Sequence, residues 1–247
     1  MNKEDFLKDG EQLVDLERSN LWLIQDPSRF RFGMDAVLLS AFAALRAGER
    51  CLDMGTGTGI LPLLLSAKTE AAELVGLEIQ PESAEMARRS VEMNGLGGRI
   101  SVVEGDIRTA SEQFGRSSFD SVVANPPYMI GGHGIVNPED AKAIARHEVL
   151  CTFDDLARET AAVLKPNGHF YLVHRPFRLA EIINTLYRYK LEPKRLRLVY
   201  PFADREPNMV LIDSVLGGRP RLTVEKPLII WDAPGQYTEE VRELYGF

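Results

Sequence analysis

Cysteine is scarce in this sequence, and its two cysteines, Cys51 and Cys151, lie far apart. Neither belongs to a CxxC pair, and the four histidines have no metal-ligand spacing. A zinc site or any other bound metal is therefore not expected. Two isolated cysteines fit reduced thiols in a cytoplasmic protein better than a disulfide.

Long apolar runs are also missing. No stretch approaches the ~20 apolar residues that a membrane-spanning helix needs, and the polar start, Met1-Asn2-Lys3-Glu4-Asp5, lacks the apolar segment of a secretion signal. We therefore expect a soluble protein without a membrane partner. Its 247 residues are 45% hydrophobic and 26% charged, which suits one domain with appendages.

Positive charge is sparse overall, since the formal net charge is −7. It is concentrated between Arg175 and Arg221, a segment that contains ten basic and five acidic residues. A basic face on an acidic protein is compatible with binding a short piece of RNA, and equally with a solvated helix and strand face. Charge alone does not choose between them.

Strand-like and helix-like segments alternate from Arg50 onward. The predicted strands are Arg50–Asp53, Glu73–Ile79, Ile100–Glu104, Phe119–Ala124, His169–His174, Arg195–Tyr200 and Met209–Leu216. The predicted helices are Gly59–Lys68, Pro81–Asn94, Phe153–Leu164 and Arg178–Tyr189. This alternation predicts an α/β fold with a mostly parallel sheet and helices on both faces.

The last two predicted strands are joined by a loop too short for a crossover helix, so they should be antiparallel, with a reversed strand at the sheet edge. Before the alternating region, Leu13–Leu16 and Leu21–Ile24 suggest a hairpin. We accordingly divide the chain into a hairpin extension (1–30), a core domain (31–220) and a tail (221–247) whose role the pattern does not indicate.

A glycine-rich turn follows the first strand of the alternating region, in Leu52-Asp53-Met54-Gly55-Thr56-Gly57-Thr58-Gly59. Glycines there let the backbone approach a ligand where a Cβ would clash, and open α/β sheets bind ligands beyond the carboxyl ends of their strands. The spacing is GxGxG, whereas the dinucleotide fingerprint is GxGxxG. An NAD enzyme is thus the less favoured alternative.

Acidic residues end the next two strands. Glu78, followed by Ile79, can accept hydrogen bonds from both hydroxyls of a ribose. Asp106 can accept one from an adenine amino group while Ile107 packs on the ring. Consecutive strand–helix units thus contain, in order, Asp53, the three glycines, Glu78 and Asp106. This ordered set is a more specific sign of a cofactor site than any one of these residues alone.

The turn Asn125-Pro126-Pro127-Tyr128 follows the strand Phe119–Ala124. The amino group of an adenine or an amide is a poor nucleophile because its lone pair is delocalised. The Asn125 side-chain oxygen and the Pro126 carbonyl, fixed by two successive prolines, can accept hydrogen bonds from such a group and localise that lone pair. Tyr128 can stack on a flipped base.

Together these motifs resemble those of class I S-adenosylmethionine-dependent methyltransferases, over roughly Arg31 to Leu216. The Asn-Pro-Pro-Tyr turn is similar to that of amino-methyltransferases, which act on adenine N6, guanine N2 or a glutamine amide. The resemblance implies S-adenosyl-L-methionine as cofactor, bound by Asp53, Gly55, Thr56, Gly57, Gly59, Glu78, Ile79, Asp106, Ile107 and Asn125. The catalytic residues it implies are Asn125, Pro126, Pro127 and Tyr128.

The segments on either side of these motifs make the resemblance more specific. Phe30–Leu39 and Ala145-Arg146-His147-Glu148, with the short hairpin, resemble the bacterial valine-tRNA adenine-N6 methyltransferases, which modify the adenosine at position 37 beside the anticodon. That family implies cofactor contacts at Arg31, Gly33 and Asp35, although Asp35 could equally cap a helix.

The resemblance also implies a tRNA anticodon stem-loop as partner. Lys194, Arg195 and Arg197 are the predicted RNA-binding residues, and alternation puts Arg195 and Arg197 on one face of a strand. Phe177, Tyr200 and Phe202 are expected in the core or at the sheet edge.

Two other functions remain open. A protein glutamine N5-methyltransferase acting on release factors uses the same turn, but such enzymes carry a helical recognition domain where this chain has about thirty hairpin-like residues. A non-catalytic RNA-binding module would have no need of the intact Asn125–Tyr128 turn. The oligomeric state cannot be read from the pattern.

Overall fold

The computed structural model describes residues 2–28, 33–126 and 151–245. The strands are β1 (Gln12–Asp15), β2 (Trp22–Gln25), β3 (Arg50–Met54), β4 (Glu73–Glu78), β5 (Ile100–Glu104), β6 (Phe119–Ala124), β7 (Leu164–His174), β8 (Leu191–Tyr200), β9 (Met209–Leu216), β10 (Thr223–Val224), β11 (Leu228–Ile229), β12 (Trp231–Ala233) and β13 (Gln236–Tyr237). The helices are α1 (Met34–Phe42), α2 (Ile60–Lys68), α3 (Pro81–Met93), α4 (Ala110–Phe114), α5 (Phe153–Val163), α6 (Leu179–Arg188) and α7 (Glu239–Tyr245).

The main sheet has the order β5-β4-β3-β6-β7-β9-β8, with β10 and β11 on the outer edge of β8. Strands β3 to β7 pair in parallel, whereas β9 runs antiparallel to both β7 and β8. The predicted α/β class and the reversed strand are confirmed. The prediction that the reversed strand lies at the edge is wrong, because β9 fills the gap that the β7–α6–β8 crossover leaves between β7 and β8.

Both faces of the sheet are covered, and this explains why its central strands are continuous apolar runs. One core contains buried side chains of α1 and α2, with Val91 of α3 and residues of the hairpin and tail. The other is formed under α5 and α6, with Phe153, Leu156, Ile182 and Leu186. Helix α3 begins at a proline and ends before Gly95, whose φ is +69°, as its capping residues predict.

Two strands begin earlier than the sequence predicts. Strand β7 begins at Leu164, and its register with β6 shifts between the pairs Phe119–Leu164 and Ser121–His169. Strand β8 begins at Leu191, with an irregularity between Pro193 and Arg195. Proline lacks the N–H that a ladder needs, so it is tolerated inside a strand only where the pairing is interrupted.

The predicted hairpin is present as β1 and β2, and it packs on α3. The Trp22 N–H donates to Asn94 Oδ1 (2.9 Å), and the Ile24 N–H donates to Ser90 Oγ (3.0 Å). In the tail, β10 and β11 extend the sheet, and Val241 of α7 is fully buried. The domain boundaries at 30 and 220 stay predictions. No helix within the described ranges is both long and apolar enough to cross a membrane.

A half-buried lysine between α1 and α2 gives a test of this packing. Lys68 Nζ donates to Ser40 Oγ (2.9 Å) and to the Val37 carbonyl (3.4 Å), and burial lowers its pKa from 10.5 to about 8. Between these values the unfolded chain binds more protons than the folded protein, so the free energy of unfolding should rise with pH across this range.

We expect Lys68→Met to raise the free energy of unfolding at about pH 7, on the order of 1 kcal/mol given the partial exposure of the side chain. The gain should shrink towards pH 10, where the folded protein has already lost the proton. Urea denaturation at both pH values measures it, with the exposed Lys226→Met as control. A gain of the same size at both would contradict the buried charge.

Candidate active site

The glycine-rich loop after β3 is held against β4. The backbone N–H groups of Gly55 and Thr56 both donate to the Leu77 carbonyl, at 2.9 and 3.0 Å. Gly55, Gly57 and Gly59 have φ values of +82°, +56° and +88°, a region that side chains with a Cβ rarely enter. The alternating glycines are thus required by the loop conformation itself.

Small residues let the loop pack closely on its neighbours. A Cβ on Gly76 of β4 would lie 2.8 Å from Thr56 Cγ2, so the Thr56 side chain occupies the space above that glycine. A Cβ on Gly59 would lie 3.1 Å from Ala87 Cβ in α3. The loop therefore lies between β4 and α3, at the carboxyl ends of the parallel strands, where the fold binds ligands.

Glu78 is buried at the end of β4, and its carboxylate is oriented by two backbone N–H groups. Oε2 accepts a hydrogen bond from Gly57 (2.8 Å), and Oε1 accepts one from Gln80 (2.9 Å). A carboxylate has about four lone-pair sites, so each oxygen can accept one more hydrogen bond. The next residue, Ile79, is 37% exposed.

Asp106 caps the short 3₁₀ turn Ile107–Thr109. Its carboxylate accepts from the Arg108 backbone N–H (2.8 Å) and pairs with the Arg108 guanidinium (2.6 Å). The hydrogen bond from Arg108 is the main cause that holds the pKa of Asp106 below its usual value. Ile107 lies beside the glycine loop, with Cδ1 3.7 Å from the position of a Cβ on Gly55.

Asp53 is the least satisfied polar group of this site. Its side chain is buried, and no described residue donates a hydrogen bond to either carboxylate oxygen. Burial raises its pKa from 3.8 to about 7, although the nearby Thr56 hydroxyl opposes the shift. A buried carboxylate without a partner is costly to the folded protein, and a cation or a hydrogen-bond donor of a ligand would compensate it.

Asn125 and Pro126 follow β6 beside the glycine loop. In the parallel ladder Val123 pairs with Asp53, so Asn125 comes level with Gly55 just beyond the strand ends. Both Asn125 and Pro126 are half-buried. Pro127 and Tyr128 lie outside the described residues, so this structure does not place them.

Two of the three predicted N-terminal contacts, Gly33 and Asp35, lie at the start of α1. Gly33 is the N-cap of the helix, and Asp35 Oδ1 accepts a hydrogen bond from the Ala36 N–H (2.9 Å). Asp35 thus lies in the first turn of the helix and accepts from one of its terminal N–H donors, whereas the N-cap position itself is taken by Gly33. Arg31 lies outside the described residues.

A model of the methyltransferase small-domain family matches residues 33–189 of this chain. The chain belongs to this methyltransferase family. A similar curated relative is a tRNA1(Val) (adenine(37)-N6)-methyltransferase of Porphyromonas gingivalis, 32% identical over 85% of each chain. The predicted resemblance to these enzymes is confirmed.

Solved structures share the fold of this methyltransferase. A predicted O-methyltransferase from Agrobacterium tumefaciens superposes with a TM-score of 0.71 and 28% identity, over 86% of this chain and 95% of the other. TYW2 of Pyrococcus horikoshii, solved in complex with MeSAdo, has a TM-score of 0.59 and 14% identity over 85% and 73%. The cofactor of the methyltransferase is S-adenosylmethionine, which the unpartnered Asp53 and the oriented Glu78 carboxylate fit.

Arg195 and Arg197 of the methyltransferase share one face of β8, as predicted, but both are engaged within the protein. Arg195 pairs with Asp213 (3.0 Å) and Glu225 (3.2 Å), and donates to the Phe42 carbonyl. Arg197 pairs with Glu240 (2.6 Å) and donates to the Lys226 carbonyl. Their side chains are 32% and 16% exposed. Lys194 Nζ donates to the Arg219 carbonyl.

Phe177 does not lie in the core, so the expectation for it is wrong. It is 68% exposed in the turn directly after β7, at the same end of the sheet as Asn125. A surface position for Phe177 could have been predicted from the turn Arg175-Pro176-Phe177-Arg178, because the aromatic residue stands between two cations at the end of a strand. Tyr200 and Phe202 are half-buried near the end of β8.

The isolated Asp53 carboxylate leads to a test with two readouts. Its folded pKa lies above its unfolded value, so the cofactor-free protein should lose stability as pH rises from about 4 to 7. We expect Asp53→Asn to unfold at a higher urea concentration than wild type at about pH 8, yet to bind S-adenosylmethionine at least about tenfold more weakly.

Urea denaturation measures the stability, and calorimetry measures the affinity for S-adenosylmethionine. The exposed Asp9→Asn is the control, and it should change neither quantity. An Asp53→Asn protein that binds the cofactor as tightly as wild type would remove Asp53 from the cofactor site.

Proposed function

We propose that this methyltransferase transfers a methyl group from S-adenosylmethionine to N6 of the adenosine at position 37 of a tRNA, with valine tRNA as the expected substrate. The observation that carries the proposal is the position of Asn125 and Pro126 beside the cofactor loop. The proposal is also supported by relatives that match most of the chain and are named tRNA1(Val) (adenine(37)-N6)-methyltransferases. The reaction would take place in the cytoplasm.

The cofactor would be held by the groups that the fold gathers at the strand ends. Glu78 would accept the ribose hydroxyls with its remaining lone pairs, while Ile79 and Ile107 would pack on the adenine. Asp53 and the glycine loop would face the methionine part, with Gly33, Asp35 and Arg31 alongside. Asp106 can receive the adenine amino group only by sharing its carboxylate with Arg108.

The protein's contribution to chemistry is positioning. Bound cofactor supplies an electrophilic methyl group on a sulfonium. The Asn125 side-chain oxygen and the Pro126 carbonyl would accept the two hydrogens of the target amino group, which localises the nitrogen lone pair. As the new N–C bond forms, the S–C bond breaks, and the surplus proton leaves the nitrogen for water afterwards. Tyr128 would stack on the extruded base.

A carbonyl-type acceptor suits a nitrogen substrate better than an oxygen one. A hydroxyl must lose its proton to a base to become a good nucleophile, whereas an amino group needs only acceptors. The predicted O-methyltransferase from Agrobacterium tumefaciens shares the fold, but the Asn125–Pro126 acceptors favour N-methylation. The same acceptors would serve a glutamine amide, so the substrate must be tested directly.

The test is methylation of total tRNA by the purified protein, with the product nucleoside identified by mass spectrometry. N6-methyladenosine in valine tRNA at position 37 is the expected product. Methyl transfer only to a release factor, offered in a parallel reaction, would overturn the proposal.

Two substitutions at Asn125 test the acceptor role. Asn125→Ala should lower kcat, measured at saturating S-adenosylmethionine, by at least about a hundredfold, because it removes the acceptor oxygen. Asn125→Asp keeps an oxygen in the same place and should keep more activity than Asn125→Ala. Equal activities of the two variants would argue that Asn125 has only a structural role.

A further inference from the structure

The basic residues between Arg175 and Arg221 divide into two groups. Several are neutralised by intramolecular ion pairs, namely Arg178 with Glu181, Arg188 with Asp154, Arg195 with Asp213 and Glu225, and Arg197 with Glu240. Five others form no ion pair within the described residues, namely Lys190, Lys194, Arg205, Arg219 and Arg221. Arg175 donates to the Asn208 carbonyl. Arg205 lies in the loop between β8 and β9, whereas the other four lie together at the opposite end of these strands.

These four cations meet at one place, which we call the basic corner. Leu191 at the start of β8 pairs with Leu216 at the end of β9. The Gly217 N–H donates to the Lys190 carbonyl (2.8 Å), and Lys194 Nζ donates to the Arg219 carbonyl. Lys190, Arg219 and Arg221 are exposed, and the acidic neighbour is Glu192.

The basic corner lies at the opposite end of the sheet from the active site. Strand β9 runs from the active-site end to the corner over its eight residues, which is roughly 25 Å. Strand β8 is three strand positions from β6, or about 14 Å sideways. Asn125 and the corner are thus roughly 30 Å apart.

A target nucleotide bound at Asn125 cannot itself reach the corner. Roughly 30 Å corresponds to about nine base pairs even at the 3.4 Å rise of a B-form duplex, which exceeds the short stem that carries an anticodon loop. Resting on the proposed function, we propose that the basic corner binds phosphates of the tRNA body, outside the anticodon stem-loop. The corner then makes the enzyme selective for a complete tRNA.

An RNA backbone fits the corner better than a folded acidic protein. Three of the four cations of the corner are exposed, and such cations bind phosphates without reading sequence. On a protein with a net charge of −7, a local group of unpaired cations also sets the orientation in which a polyanion approaches. Leu222 and Val224 next to the corner are exposed, so an anionic membrane is the competing partner that the test must separate.

The test uses the double variant Arg219→Ala/Arg221→Ala, which leaves the structural hydrogen bond of Lys194 to a backbone carbonyl intact. Binding of full-length valine tRNA and of its isolated anticodon stem-loop is measured by fluorescence anisotropy over a range of salt concentrations. For full-length tRNA we expect about tenfold weaker binding, with a log–log salt slope reduced by between about 1.4 and 1.8. Binding of the stem-loop and of S-adenosylmethionine should be unchanged.

The matched control is Lys226→Ala/Arg242→Ala, which removes two exposed charges from the tail and should leave both RNA affinities as in wild type. An equal loss of affinity for the stem-loop and the full-length tRNA would overturn the proposal, and so would no loss for either. Loss of binding to phosphatidylserine vesicles, with tRNA binding unchanged, would assign the corner to a membrane instead. Binding is measured without methylation, so the test of the corner does not depend on the proposed reaction. If only the proposed reaction were wrong, tRNA would bind to the protein but gain no methyl group.

Discussion

The site depends on the Leu77 carbonyl, which accepts hydrogen bonds from two consecutive N–H groups of the glycine loop. These bonds draw the chain back over β4 immediately after β3, and only residues with positive φ can make so tight a return. Once the loop lies there, the Gly57 N–H reaches Glu78 and orients its carboxylate. The loop and the Glu78 carboxylate are therefore one unit, and a change that displaces the loop also turns the carboxylate.

The same unit leaves Asp53 buried without a hydrogen-bond donor among the described residues. Active sites commonly keep such groups because a ligand satisfies them, although the empty protein is less stable for it. The loop around it is closely packed, since Thr56 fits over Gly76 and Gly59 fits against Ala87.

Much of the fold followed from local patterns. The strand–helix alternation, the hairpin at β1 and β2, the antiparallel direction of β9 and the glycine loop all depend on residues close together in sequence. The position of β9 inside the sheet did not, because it is decided by where the β7–α6–β8 crossover places β8. The early start of β8 was missed for a similar reason, since its first residues form a strand by pairing with Leu216 and its neighbours.

The predicted RNA-binding residues show why charge is harder to interpret than periodicity. Arg195 and Arg197 look like free cations in the sequence, but their partners Glu225 and Glu240 come from the tail, about thirty and forty residues later. Packing the tail on β8 uses their charge for stability, whereas the cations around the start of β8 have no ion-pair partner in the described part of the chain. The Asn125–Pro126 turn lies at one end of the sheet, and the group of four cations that we call the basic corner lies at the other. A substrate that uses both must be longer than the nucleotide it presents.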